Sequence, residues 1–283
     1  NASIASMTTT AAVPVFDNGA GSYIRISGTQ HTEAVSSMPD WLAQMLHSLI
    51  LTGQCTDITL ELNDSLMTQV LDSGTVSTSS DFVLAGTCTT SFQTSGANRS
   101  NNIVVGASRL NNLIVLPGQT VSVSDTILPR TRANGYKEAG VYVNGAHTTG
   151  LGGGVCQISS TVYNAVKNAG LTVVQRNPHS MPVSYLPKGL DAAIAAGSKD
   201  LKFRNDYTTP VVLYTDTSNK HLTVNVLVWN QELAGRSFKL WTKQTGALSA
   251  DTYFTTYQDG KEVSTQFVGT SRYNPYREAV SND

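Results

Sequence analysis

A glycine-rich segment that runs directly into a helical pattern is the feature that most constrains this chain. Four of the five residues at 150–154 are glycine, and apolar side chains then recur at helical spacing from Ile158 to Val166. Glycine adopts backbone conformations that other residues avoid, so such a segment favours a tight turn. The pattern predicts a loop that delivers Cys156 to the first turn of a helix.

Cys156 at that position has a chemical and a structural interpretation. Unsatisfied N–H groups at a helix N-terminus favour a thiolate and can hold a developing oxyanion, and glycines would let a bulky substrate approach the sulfur. The loop residues expected to supply these groups are Gly153, Gly154 and Gln157. In the structural interpretation, Cys156 is a small apolar residue that packs the helix start. A phosphate-binding loop is set aside because the expected Lys and Ser/Thr do not follow the last glycine.

A cysteine nucleophile usually needs a base, and the histidines are the candidates. Only His147 and His179 lie close to Cys156 in sequence. His179 follows the apolar run 171–174, which predicts a strand that returns from the Cys156 helix and ends beside the thiol. His147 lies in a hairpin-like segment. For each of them the structural alternative is a surface or hydrogen-bonded role, which is the role expected of His31, His47 and His221.

Charge and hydropathy narrow the classes of partner. Lys and Arg number 19 against 20 Asp and Glu, spread along the chain, so we expect no nucleic-acid partner. No apolar run reaches the length of about 18 residues that a membrane helix needs, so we expect no membrane segment in this chain. The start lacks Met and a signal segment, which favours a piece of a longer precursor. Cys55 and Cys88 either pair or remain free, and the cysteine spacing does not favour a zinc site.

Strand and helix patterns occur throughout the chain without a regular βαβα alternation. Residues 100–112 predict a helix, and 251–268 predict a hairpin that turns at Asp259 and Gly260. The other strands are predicted at 23–26, 58–62, 114–116, 209–214 and 221–228. We therefore expect an α+β fold with mainly antiparallel strands and a nucleophile-bearing helix after the glycine-rich loop.

Three segments of the chain, GLGGGVCQISSTVYNAVKNAGL, RNPHSMPVSYLPKGLDA and DLKFRNDYTTPVVL, together resemble the VanW domain family. The likeness runs from about residue 85 to about residue 230. Residues 20–80 resemble, more loosely, the peptidoglycan-binding-like domain that often precedes it, and 241–276 are similar to a β-hairpin appendage that follows it. The expected organisation is a poorly ordered linker at 1–20, a small α+β domain at 21–80, a VanW-like core at 81–235 and a C-terminal β-hairpin at 236–283.

The resemblance implies an exported cell-surface protein of Gram-positive bacteria, membrane-anchored in its full-length precursor and named through a vancomycin-resistance gene cluster. Some family members are regarded as L,D-transpeptidases, in which the cysteine attacks a peptidoglycan tetrapeptide stem, releases its terminal D-alanine and passes the acyl group to another stem's amine. Carried over to this sequence, the cysteine is Cys156 and the shared histidine is His179.

The residues of this chain permit that mechanism. Cys156 would form a thioester, His179 would shuttle protons and Asp191 would orient the imidazole. No metal or organic cofactor is required, and we expect a monomer whose partners are peptidoglycan stem peptides. Stem peptides carry carboxylates, for which Arg204 is the first candidate partner. Arg130, Arg132 and Tyr136 are further candidates, although each could equally be a solvated or capping residue, and His147 is also expected among the substrate-binding residues.

Three functions remain open at this stage. The first is the L,D-transpeptidase. The second is a non-catalytic peptidoglycan-binding or scaffold module, which would bind equally well without the Cys156 thiol. The third is a cysteine endopeptidase or amidase, which would transfer the acyl group to water and shorten the stems instead of joining them.

Overall fold

The computed structural model describes residues 13–17, 23–28, 57–62, 82–143 and 146–275. The chain divides into two compact units. The first contains residues 1–83 with 229–231, and the second contains residues 84–228 with 232–283. Within the described ranges, no helix combines the length and the apolar content needed to cross a lipid bilayer.

The first unit contains a three-stranded sheet. Its strands are β1 (Val13–Asp17), β2 (Tyr23–Gly28) and β3 (Asp57–Leu62), in the order β1-β2-β3. β2 pairs antiparallel with β1 and parallel with β3, so the strands predicted at 23–26 and 58–62 are confirmed. Strand β1 lies within the segment expected to be a poorly ordered linker, where its β-branched and aromatic residues favour a strand. The helical part expected of this small domain lies outside the described residues.

The described residues from 82 onward contain four α-helices, one short 3-10 helix at Ser218–Lys220 and twelve strands, nearly all within the second unit. The α-helices and strands in chain order are β4 (Phe82–Ser91), α1 (Ala97–Ser108), β5 (Leu113–Val115), β6 (Thr120–Ser122), α2 (Val123–Thr126), β7 (Glu138–Val143), β8 (Ala146–Leu151), α3 (Val155–Asn168), β9 (Thr172–Gln175), β10 (Lys202–Arg204), β11 (Val211–Asp216), β12 (His221–Trp229), α4 (Asn230–Leu233), β13 (Arg236–Gly246), β14 (Ser249–Gln258) and β15 (Lys261–Arg272). The predicted helix at 100–112 and the strand after the Cys156 helix are present as α1 and β9.

The strands of this unit form four small sheets. Their orders are β4-β12-β11-β5, β6-β10-β9, β7-β8 and β13-β14-β15. The pairs whose registers are described, such as β11 with β12 and β9 with β10, are antiparallel. This arrangement confirms the mainly antiparallel α+β fold.

Helix α3 lies at the centre of the hydrophobic core. Ile158, Val162 and Ala165 on this helix are fully buried, in one cluster with Ile103 of α1 and Val224 of β12. Burial of each large aliphatic side chain stabilises the fold by about 1.5 to 3 kcal/mol. Because α3 is fixed by contacts with both helix and sheet, the residue at its first turn is held in a defined position.

The C-terminal sheet extends the predicted hairpin by one strand. β14 and β15 turn at Asp259 and Gly260, both with positive φ, as the sequence predicts. β13 adds a third strand through a long antiparallel register with β14. The sheet contacts the end of α3, where the Lys167 ammonium lies 3.7 Å from the ring centre of Phe254. The C-terminal segment therefore belongs to the same compact unit as the core.

Candidate active site

The glycine-rich loop packs tightly against the elements around it. Gly154 caps α3 with a φ of 111°, a conformation that other residues rarely adopt. A Cβ at Gly153 would lie 2.6 Å from the carbonyl oxygen of Gly140 on β7, and one at Gly154 would lie 3.0 Å from Arg99 Cγ on α1. The neighbours of these two glycines are therefore protein atoms, which corrects the expectation that they leave room for a substrate.

Gln157 ties the start of α3 to its neighbours. Its Nε2 donates to Thr90 Oγ1 at 3.0 Å and to the carbonyl of Ser91 at 2.9 Å, and its Oε1 accepts from Arg99 Nη2 at 2.8 Å. Its backbone N–H donates to Gly154 O at 3.0 Å. Both the side chain and the N–H of Gln157 are thus occupied, so this residue holds the helix start in place and is not free to bind an oxyanion as the sequence predicted.

Cys156 is the second residue of α3 and is half-buried. Its thiol lies 3.4 Å from the carbonyl oxygen of Ile194 and is a hydrogen-bond partner of His179. Burial alone would raise the pKa of Cys156, but the hydrogen bond and the charge of His179, together with the charge of Arg130, lower it overall. The environment therefore favours the thiolate.

His179 is held by the Asp191 carboxylate. Its Nδ1 lies 2.7 Å from Asp191 Oδ2, and its backbone N–H donates to the same oxygen at 2.6 Å. Burial would lower the pKa of His179, but its hydrogen bonds to Asp191 and Cys156 raise it to about 9. Asp191 is fully buried, and despite burial the bonds from His179 and Tyr273 lower its pKa. Cys156, His179 and Asp191, which the sequence analysis assigned to one site, are therefore connected by hydrogen bonds.

Polar residues of α3 hold the segment that carries Asp191. Ser160 Oγ accepts from the backbone N–H of Ala192 at 2.9 Å, and Asn164 Nδ2 donates to the carbonyl of Leu190 at 2.7 Å. Ser159 Oγ donates to the carbonyl of Ala192. The segment at 190–192 lacks regular secondary structure, so these side chains replace the hydrogen bonds that a strand would make. One helix thus fixes both the thiol and the carboxylate.

Two further residues contact Asp191, and the sequence analysis missed both. Arg176 Nε donates to the backbone carbonyl of Asp191 at 2.7 Å, and its Nη2 lies 3.4 Å from Oδ1. The hydroxyl of Tyr273, which follows β15, donates to Oδ1. Arg176 lies three residues before His179, which is a weak local signal, whereas Tyr273 is 82 residues from Asp191 and has none.

Positive charge surrounds the Cys156 thiol. Arg130 packs beside Gly152, and its charge contributes to the lowered pKa of Cys156. Its Nη1 is buried and has no hydrogen-bond partner among the described residues. Burial lowers the pKa of Arg99, and the Cys156 thiolate is one of the charges that oppose that shift. A buried guanidinium N–H without an acceptor is costly, so Arg130 is a site at which an anionic ligand group would be stabilised.

The other expected substrate-binding residues lie elsewhere. Tyr136 is a core residue whose hydroxyl donates to Ile127 O at 2.8 Å, so it is closed to a substrate. Arg204 pairs with Asp206 and Arg132 with Glu138, both at the surface. Among the described residues, no hydrogen bond or ion pair joins either arginine to the Cys156 group.

Two expectations fall partly outside the described residues. His147 lies in β8, where its backbone pairs with Tyr142 of β7, but its side chain is outside the described part of the structure. Its role therefore stays a prediction. Cys88 carries a free thiol on β4, and Cys55 lies outside the described residues.

Comparison with known proteins gives matches over the core of the chain. Residues 98–227 match the family described as VanW like protein. The chain is 42% identical over 128 residues to the protein named "Uncharacterized protein YoaR" of Bacillus subtilis, which is 45% of this chain and 42% of that protein. It is 36% identical over 114 residues to the vancomycin B-type resistance protein VanW of Enterococcus faecalis, which is 38% of this chain and 42% of that protein. The chain thus spans less than half the length of these relatives, and no solved structure gives a significant match.

Proposed function

Because this chain contains a VanW-family domain at residues 98–227, we propose that it is a cell-wall-associated protein that acts on peptidoglycan. The name of the Enterococcus relative, a vancomycin B-type resistance protein, supports a role at the target of that antibiotic. The proposed activity is cysteine-dependent acyl transfer between stem peptides, as an L,D-transpeptidase at the cell surface. The full-length precursor would be membrane-anchored.

The hydrogen-bonded group of Cys156, His179 and Asp191 is the observation that carries this proposal. A thiolate beside an imidazolium, with a buried carboxylate behind the ring, is an arrangement suited to nucleophilic attack on an amide. A purely structural cysteine needs neither a raised histidine pKa nor a carboxylate fixed by several bonds. These features favour catalysis over the scaffold interpretation.

The reaction would proceed in two steps. In the first, the Cys156 thiolate attacks the carbonyl carbon of the donor's terminal peptide bond, and His179 gives its proton to the leaving amine, which departs as a free D-amino acid. In the second, neutral His179 takes a proton from the acceptor amine, which attacks the thioester and forms the new amide. The thiolate and the protonated His179 are thereby restored.

The oxyanion formed in each step needs a hydrogen-bond donor. Among the N–H groups of residues 155–157, those of Val155 and Gln157 donate to Gly152 and Gly154. The N–H of Cys156 itself is the group of this turn that we assign to the oxyanion, with the dipole of α3 behind it. Gly153 and Gly154 contribute by allowing the loop to place this N–H.

Arg130 is the residue that we assign to the donor's terminal carboxylate. Its guanidinium acts on Cys156 electrostatically, and its buried Nη1 has no partner among the described residues. A carboxylate is the anionic group of a stem peptide that lies next to the scissile bond, and a guanidinium binds it with charge-assisted hydrogen bonds. This assignment favours cleavage at the last peptide bond of the donor.

Intact-mass spectrometry tests the proposal directly. Wild type and Cys156→Ala are incubated with disaccharide-tetrapeptide muropeptides, and the masses of both the protein and the products are measured. An acyl adduct confined to the wild type, together with cross-linked dimers, is the expected result. Shortened stems without dimers would identify an endopeptidase or amidase, and equal binding by both proteins without any product would identify a binding module.

A further inference from the structure

The C-terminal sheet supplies a side chain to the Asp191 carboxylate. Tyr273, directly after β15, is buried, and its hydroxyl accepts the backbone N–H of Gly189 at 2.6 Å. The same hydroxyl donates its proton to Asp191 Oδ1. A hydroxyl has only one proton to donate, and the Gly189 bond leaves that proton for the carboxylate.

Other contacts fix this end of the sheet against both segments of the site. Ser271 Oγ accepts from Arg176 Nη1 at 3.2 Å, and the backbone N–H of Asn274 donates to Ser180 O at 2.7 Å. Thr252 on β14 donates to Gly189 O at 3.1 Å. Residues 271–274 therefore run beside the segments that hold His179 and Asp191, and the position of Tyr273 is determined by several independent bonds.

The two oxygens of Asp191 have separate roles. Oδ2 accepts both bonds from His179, whereas Oδ1 accepts from Tyr273 and has a longer contact of 3.4 Å with Arg176. A buried carboxylate is stable only when its oxygens have donors. Without the tyrosine hydroxyl, Oδ1 would retain only the longer contact among the described residues, and the carboxylate would be less firmly held against His179.

We propose that Tyr273 is a positioning residue that controls the reactivity of Cys156 through Asp191 and His179. The C-terminal sheet then contributes to the Cys156 site and is not a separate appendage. Tyr273 lies beyond residues 98–227, where the family match ends, so the matched segment alone does not contain the complete site. The inference rests on the thiol activation in the proposed function, but it concerns no substrate and can be tested without one.

The test is the pH dependence of Cys156 alkylation by iodoacetamide, followed by peptide mass mapping. Tyr273→Phe keeps the ring and removes only the hydroxyl. With the carboxylate less firmly held, the imidazolium is less well supported and the thiolate forms at higher pH. The expected result is a shift of the acid limb to higher pH by about one unit, since a hydrogen bond to a charged group has an energy of that order. Tyr253→Phe is the matched control, because Tyr253 lies in the same sheet and packs on Trp241.

A double-mutant cycle shows whether Tyr273 acts through Asp191. Asp191→Asn should shift the profile, and adding Tyr273→Phe to it should cause little further change. A further shift of the same size in the Asp191→Asn background would mean that the tyrosine acts by another route, which overturns the inference. Equal melting temperatures of Tyr273→Phe and Tyr253→Phe would show that general loosening of the sheet does not cause the shift.

The remaining outcomes separate this inference from the proposed function. If Asp191→Asn and His179→Ala shift the profile while Tyr273→Phe coincides with wild type, the role of Tyr273 is wrong and the proposed thiol activation stands. If neither Asp191→Asn nor His179→Ala changes the profile, the activation itself is wrong, and the role of Tyr273 is overturned with it.

Discussion

His179 makes two hydrogen bonds to one oxygen of Asp191, through Nδ1 at 2.7 Å and through its backbone N–H at 2.6 Å. One bond holds the backbone of His179 and the other holds its ring, both against the same carboxylate oxygen. Since Nδ1 is engaged by the carboxylate, Nε2 is the nitrogen left to face the Cys156 thiol. The ring is therefore held in the orientation that thiol activation needs before any substrate arrives.

Replacement of His179 by alanine should slow alkylation of Cys156 at pH 7 by about tenfold or more. Without the imidazolium, burial is the largest remaining influence and raises the thiol pKa, so less thiolate is present at neutral pH. The measurement is the second-order rate with iodoacetamide from pH 5 to pH 10, resolved by peptide mapping. The two proteins should converge at high pH, where both thiols are ionised.

His221→Ala is the matched control for that experiment. His221 lies on β12, where its Nδ1 contacts the carbonyl oxygen of Asn219, and His221 is not among the groups that shift the pKa of Cys156. Cys88 should stay unmodified in each sample, because burial raises its pKa to about 12 and leaves almost no thiolate in this pH range. Equal slowing of Cys156 in His179→Ala and His221→Ala would contradict specific activation by His179.

Titration of His179 and of Cys156 should change the unfolding free energy in opposite directions as pH rises. His179, with a pKa raised from 6.5 to about 9, contributes stability that is complete below pH 6.5 and lost as pH rises through about 9. Cys156, with a lowered pKa, contributes stability that grows with pH and is complete above its ordinary value of 9.0. In the wild type the two contributions therefore oppose each other, and part of the histidine linkage is hidden.

Cys156→Ser should reveal the histidine linkage by removing the thiolate. Asp191 still raises the pKa of His179, so the variant should lose stability as pH rises above 6.5, by up to about 1.4 kcal/mol per pH unit. Urea unfolding at pH 6, 7, 8 and 9 measures the slope. The other histidines are present in both proteins, so the difference between the two slopes isolates the pair. Parallel slopes would argue against an ion pair in the folded protein.

Arg130→Met should weaken use of a donor that carries a free terminal carboxylate. Loss of a charge-assisted bond of about 1.5 to 3 kcal/mol predicts an increase in KM of roughly 10- to 100-fold. Amidation of the donor's terminus should reproduce this loss in the wild type and have little further effect in the variant. Arg204→Met is the matched control, because Arg204 pairs with Asp206 at the surface. Equal activity on free and amidated donors would contradict the assignment of Arg130.

The local sequence pattern predicted those helices and strands in which apolar residues recur at regular spacing and become buried. The apolar residues between Ile158 and Val166 recur at helical spacing and lie in the hydrophobic core, so α3 was predictable. Asp259 and Gly260 are a dipeptide suited to positive φ at both turn positions, so the C-terminal hairpin was predictable. β13 was missed because its residues are mostly exposed and do not alternate between buried and exposed positions. Its conformation depends on its pairing with β14.

Within the site, the sequence indicated the thiol, the histidine and the carboxylate, but not what holds them. Tyr273 contacts Asp191 only because the C-terminal sheet folds back over the segment at 189–191, and no local pattern encodes such a contact. Tyr136 was wrongly expected at the substrate because an aromatic side chain with a polar tip is equally suited to a buried bond, here to Ile127. No sequence pattern separates Arg130 from Arg204 as a substrate-binding candidate. The structure separates them, because Nη1 of Arg130 is buried whereas Arg204 is exposed and paired with Asp206.

Two buried hydroxyls on α3 allow the positioning of Asp191 to be separated from simple stability. Ser160 faces the Asp191 segment and accepts the N–H of Ala192, whereas Thr161 faces β4 and bonds Thr90 Oγ1 at 2.9 Å. Ser160→Ala and Thr161→Val should each lower the unfolding free energy by about 1 to 3 kcal/mol, because each removes a buried hydrogen bond. Only Ser160→Ala should also slow Cys156 alkylation at pH 7, since it frees the segment that orients His179. If the two variants lose the same stability and react at the same rate, the hydrogen bond from α3 to the Asp191 segment contributes to folding alone.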